Sequence, residues 1–254
     1  MDPTPGRGLD ELIDQLAIVV ERAQRVSDRL GYFAALYRQI TVDIKRGITG
    51  GLFEDGARMQ RFAVAFAGRF FDALDARSQP TNAPKCWQLV FALANDPEAI
   101  IVQHLLVAIN AHINLDLPVA TAETAPGAAI DTLANDYQRI NDLLLAAVQR
   151  IQTAIGEVSP LMDLLDDIGW RGDEWLLDFS LTRARTEAWS QAVLLAQTPD
   201  AQKPTLIQTL DNSATHLGRV VAQPSGILRP ALEVIRFKEE RDVSRIIAHL
   251  DRSS

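Results

Sequence analysis

Apolar residues recur at intervals of three and four along almost the whole chain, the spacing that gives a helix one buried face. Between Leu9 and Leu30 the positions are Leu12, Ile13, Leu16, Val19, Val20, Ala23 and Val26. Gly31 interrupts, and Phe33, Leu36, Tyr37, Ile40 and Ile44 renew the pattern from Tyr32 to Lys45. The run Arg46–Gly51 reads as a glycine-rich loop. Asp55, suited to an N-cap, then opens a helix through Ala76 with Met59, Phe62, Ala63, Phe66, Phe70 and Leu74 on one side. A turn from Ser78 to Pro84 leads to a short helix, Lys85–Ala94, and Pro97 marks the first turn of a central helix.

After Pro118 the small-residue stretch VATAETAPGA reads as a loop. Helical spacing returns over Ile130–Ile155, Pro160–Ile168, Asp173–Gln197, Lys203–Val221 and a C-terminal pair from about Ile227. Strand-like alternation is nearly absent. The expected architecture is therefore all-α: one domain over residues 1–254, about ten helices packed around a buried central helix near 97–117. The helices from about 225 onward are expected at its periphery.

The central segment, AIIVQHLLVAINAHINLDLP from Ala99 to Pro118, is apolar on nearly every side yet carries Gln103, His104, Asn110, His112, Asn114 and Asp116. A helix apolar all round belongs inside a domain, where polar groups must be satisfied or cost stability. At about 100° per residue His112 and Asp116 lie side by side, with His104 rotated roughly 80° from His112. Gln103, Asn110 and Asn114 form a second stripe, within about 40° of one another.

His112 and Asp116 have three chemical uses. They can ligate a zinc, iron or manganese ion, with His104 as a further ligand. Asp116 can instead hold one tautomer of His112 so that the other ring nitrogen acts as a base. Or the two simply satisfy each other within the core. His104, His112 and Asp116 are thus the expected catalytic and metal-binding set, and His216 is a further ligand to consider. Asn110, Arg58 and Arg185 are the expected substrate contacts. Arg185 and Trp189 are four apart and could stack; a buried Arg185 facing Asp136 or Asp116 would be an ion pair or an anion clamp.

Composition trims the function classes. A net charge of −8 argues against general binding to nucleic acid or anionic membranes. The lone cysteine, Cys86, excludes an intramolecular disulfide and a Cys-rich zinc site. The start, MDPTPGRGLDELID, lacks a basic region followed by an apolar run, and the polar residues of the central helix argue against a membrane span; a cytoplasmic location is expected. No glycine-rich phosphate loop, Gly-x-Ser-x-Gly elbow or His-Glu-x-x-His motif occurs.

The residues Asp55-Gly-x-Arg-Met59, Phe66-Ala-x-Arg-Phe-Phe71, Gln103-His-Leu-Leu106 and Asn110-Ala-His-Ile-Asn-Leu-Asp-Leu117 carry a resemblance. The chain resembles an uncharacterised all-helical family of bacteria and fungi, of unknown function, over roughly Gly31–Trp189. A more distant likeness is to zinc-dependent phospholipases C, all-helical enzymes that use His-x-x-x-Asp pairs as zinc ligands. This chain lacks their second His-x-x-x-Glu pair and N-terminal tryptophan ligand. Asp163-Leu-Leu-Asp-Asp167 and Asn135-Asp136 superficially resemble the acidic motifs of class I terpene cyclases without matching them.

Together these readings favour a metal-assisted hydrolase of a small molecule centred on His104, His112 and Asp116, with a divalent cation as cofactor. The alternatives are a cyclase or lyase with an apolar cavity lined by Phe62, Phe66, Phe70, Trp87 and Trp189, and a non-catalytic helical interaction protein.

Overall fold

The first helix, α1 (Leu9–Val26), ends five residues before Gly31. Ser27 takes the left-handed conformation (φ 54°) and its N–H returns to the carbonyls of Ala23 and Gln24. Gly31, expected to break the helix, lies instead inside α2 (Leu30–Thr49). A Cβ at that position would stand 2.4 Å from Ile247 Cδ1 and 2.7 Å from Ala23 Cβ, so the glycine serves close packing. Likewise α2 continues through most of the expected Arg46–Gly51 loop and closes only at Gly50 and Gly51.

The computed structural model describes residues 8–159, 181–224 and 228–252. The expected helix Pro160–Ile168, the start of the expected helix at Asp173 and the acidic stretch Asp163–Asp167 lie outside the described residues. Ten helices and no strand are present among the described residues. After α1 and α2 come α3 (Gly56–Asp75), capped by Asp55 accepting from Arg58 N at 2.8 Å, and α4 (Lys85–Ala94). The central helix α5 spans Ile101–Thr124. The remaining helices are α6 (Ala134–Val158), α7 (Leu181–Gln197), α8 (Lys203–Ala222), α9 (Leu228–Lys238) and α10 (Val243–Arg252).

Helix α5 is the axis of the bundle. Its N-terminal half packs on α2, α4 and α8, and its C-terminal half on α3 and α7. By length and composition α5 could cross a membrane, but most of it is buried inside the bundle. Helix α10 packs on α1 and α2, and Ile246, Ile247 and Leu250 are core residues rather than peripheral ones.

Helix α5 also runs past Pro118, where a loop was expected. The chain passes through a π turn, His112–Asp116, in which Leu117 N–H bonds the carbonyl of His112 five residues back. A proline lacks the N–H for an α-helical bond and its ring crowds the carbonyl four residues before it. The wider turn immediately before Pro118 accommodates both, and the helix resumes. The small residues beyond it are not a loop: Ala120, Thr121 and Ala122 are buried where α7 packs, facing a helix that buries Ala188, Ala192 and Ala196.

Candidate functional site

Four carboxylates are buried among the described residues: Asp116, Asp136, Asp211 and Glu239. Three of them serve backbone donors at the starts of other elements, where N–H groups lack intrahelical partners. Asp211 on α8 accepts from the N–H groups of Lys85 and Cys86 at 2.9 Å each, fixing the start of α4. Glu239 accepts from Ile101 N at 3.2 Å and from Ser159 Oγ at 2.8 Å, fixing the start of α5. Asp136 accepts from Glu54 N at 2.7 Å and Asp55 N at 3.1 Å, just ahead of α3, and from Arg58 and Arg139 at 3.1 and 2.8 Å.

Asp116 is different. Its hydrogen bonds come only from side chains and both fall on one oxygen: His112 Nδ1 at 2.9 Å and Trp87 Nε1 at 3.0 Å from Oδ2. The side chain is 3% exposed, yet it borders a cleft of about 200 Å³ with Arg69, Asp72, Asn82, Leu115 and Ile207. Among the described residues Oδ1 has no hydrogen-bond donor, and Asp116 presents it where the side chain lines the cleft. At the mouth Arg69 is paired with Glu123, and Asp72 is exposed.

His112 sits in an aromatic box. Its ring stacks on Phe66 (3.8 Å between centroids, 11° between planes) and meets Tyr37 edge-on at 4.7 Å, with Phe33, Trp87 and Phe70 beyond. Burial lowers its pKa below the ordinary value, against the pull of Asp116, and the charge of Arg185 adds to the lowering. The neutral ring facing a carboxylate must donate from Nδ1, so Nε2 carries the lone pair. Nε2 is buried and has no partner among the described residues. Burial and the Asp116 charge also raise the Tyr37 hydroxyl far above its usual range, keeping it protonated.

His104 does not join this pair. It lies edge-on to Tyr32 at 5.8 Å, and burial lowers its pKa to about 4. Among the described residues no three His, Cys, Asp or Glu side chains are grouped as a metal site. His216 is exposed on α8. The Gln103–Asn110–Asn114 stripe ties α5 to α8: Gln103 Nε2 donates to Val221 O at 3.0 Å, Asn110 Nδ2 to Ala214 O at 2.7 Å, and Asn114 Nδ2 to Asn110 Oδ1 at 2.9 Å.

Arg58 is committed to Asp136 and to Thr132 Oγ1 at 2.8 Å. Arg185 faces neither Asp136 nor Asp116. Its Nε bonds Asn141 Oδ1 and its guanidinium lies over the Tyr137 ring at 5.3 Å. Trp189 packs on the same Tyr137 ring, at 4.7 Å, so the tyrosine stands where an Arg185–Trp189 stack was expected. Phe62, Phe66, Phe70 and Trp87 are buried or nearly so: Phe62 stacks on Phe66, Phe70 meets Trp87, and Phe66, Phe70 and Trp87 surround His112. Sequence reasoning missed Trp87 as the second partner of Asp116, since nothing local links residues 29 positions apart.

The fold and site define a class: an all-helical bundle whose central helix widens into a π turn to hold a His–Asp pair beside a cleft. The chain belongs to a family of unknown function, DUF5995, which matches residues 9–224. No curated protein and no solved structure matches it.

Proposed function

We propose that the protein is an enzyme that acts by proton transfer on a small molecule in the Asp116 cleft, with hydrolysis as the reaction class. One observation carries this reading. Of the four buried carboxylates, Asp116 alone leaves an oxygen unbonded at a cleft instead of spending both on the fold. A buried carboxylate oxygen that the fold leaves unbonded is costly, and such groups gather where a ligand or a proton is met.

In this reading Oδ1 of Asp116 accepts a proton from a water or substrate hydroxyl in the cleft. His112 Nδ1–H and Trp87 Nε1–H hold Oδ2, so the free oxygen keeps one direction through the reaction. The aromatic box keeps His112 neutral and fixes its donor. Arg69, Asp72 and Asn82 meet the polar part of the substrate at the mouth.

The test is a panel of phosphoesters, carboxylic esters and amides, assayed with and without added zinc, iron or manganese. Asp116→Asn, which keeps an acceptor for Trp87, should lower the rate on any accepted substrate by about 10²–10⁴-fold while the chain stays folded. Equal rates in the variant and the unaltered protein would defeat the assignment.

A further inference from the structure

A second set of buried polar atoms stands apart from those the Asp116 reading uses. Arg185 is 3% exposed, and among the described residues no carboxylate pairs with it. Its Nη2 is buried without a hydrogen-bond partner among the described residues. A buried cation in that condition costs several kcal/mol unless a counter-charge reaches it. Cation–π contact with Tyr137 and the bond to Asn141 satisfy only the ring face and Nε. Burial lowers the guanidinium pKa to about 10, so it remains charged at neutral pH.

Helix α7, which carries Arg185, packs against the π turn that carries His112. The Arg185 charge acts on the His112 ring, and His112 Nε2 is the other buried nitrogen of this region left without a partner. The two orphans are complementary. Nη2 is a charged donor in need of an acceptor, and Nε2 is an acceptor in need of a donor.

We infer that Arg185 and His112 form an internal site for one small oxyanion that also carries a hydroxyl, its charged oxygen on Arg185 Nη2 and its O–H donated to His112 Nε2. Hydrogen phosphate, bicarbonate and 2-hydroxycarboxylates share this chemistry; acetate has the charge and lacks the hydroxyl. Binding would supply the missing counter-charge and satisfy both nitrogens without moving a proton.

The experiment is thermal unfolding of the full chain at fixed ionic strength, with phosphate, glycolate or acetate replacing chloride. Phosphate or glycolate should raise the Tm in a saturating manner, and acetate should need at least about tenfold higher concentration. Arg185→Met should abolish the rise. A Tm unchanged from chloride, an equal rise in Arg185→Met, or acetate acting as well as glycolate would overturn the proposal. Should Arg185→Met fail to fold, proton–nitrogen spectra of the histidine rings in the unaltered protein decide the matter. The His112 Nε2 signal must shift on addition of phosphate or glycolate, and no shift would overturn the site.

Discussion

Trp87 Nε1 and His112 Nδ1 converge on the same oxygen of Asp116, at 3.0 and 2.9 Å, from two different helices. One comes from α4 and the other from the π turn of α5, so the position of the carboxylate depends on how those helices pack. Two charge-assisted donors on Oδ2 make that oxygen structural and leave Oδ1 for chemistry.

Trp87→Phe removes one of the two donors and keeps an aromatic ring in place. A hydrogen bond to a charged acceptor contributes about 1.5–3 kcal/mol, so urea unfolding should show a loss of that order. Hydrolysis, where found, should fall as Oδ1 loses its fixed direction. A variant as stable as the unaltered protein would mean that Trp87 does not hold Asp116 in solution.

Stability should fall in mild acid because of His104. Its pKa is 6.5 when unfolded and about 4 in the fold, because burial disfavours the charged ring. Between those values the unfolded chain binds the extra proton, so stability is full above pH 6.5 and declines as pH falls toward 4. The His104 contribution amounts to about 3 kcal/mol. His112, also lowered by burial, adds to the decline in the same direction. His104→Phe keeps a ring against Tyr32 and should flatten the profile measured by urea unfolding across this range. An unchanged slope would show that His104 is hydrated in solution.

Asp136→Asn should be among the most damaging single changes. Burial alone would raise the Asp136 pKa, but two backbone N–H groups and the Arg139 and Arg58 guanidiniums outweigh it and hold the value below the ordinary one. The substitution leaves Arg58 short of a counter-charge, leaves Arg139 with Glu54 alone, and loosens the start of α3. Breaking such a buried pair costs about 3–5 kcal/mol. The carboxylate contribution is present above pH 3.8 and is lost as pH falls through the lower folded value, so the gap between variant and unaltered protein in urea unfolding should narrow as the pH is taken below 3.8.

Much of this architecture is legible in the chain. The threes-and-fours spacing places most of the described helices, Asp55 marks the start of α3, and the crowd of polar residues in Ala99–Pro118 points to the centre of the molecule. The asparagine stripe and the His112–Asp116 pair both emerge from helical geometry alone. What is hidden depends on tertiary contact. Pro118 signals a stop only while the preceding turn is assumed to be α-helical, and the π turn removes that assumption. VATAETA looks like a loop because small residues carry no periodic signal, yet their smallness lets α5 and α7 approach. The partners Trp87–Asp116, Arg58–Asp136 and Asp211–Lys85 join distant stretches, and no local spacing encodes them.

The most direct test of the central claim needs no prior guess of substrate. The purified protein and Asp116→Asn are each incubated with a small-molecule extract of cells, and the mixtures are compared by mass spectrometry. At least one compound should be consumed by the unaltered protein and spared by a variant that unfolds within a few degrees of it. Identical mixtures from the two folded proteins, or a variant that fails to fold at all, would contradict the account and return Asp116, His112 and Trp87 to a purely structural network.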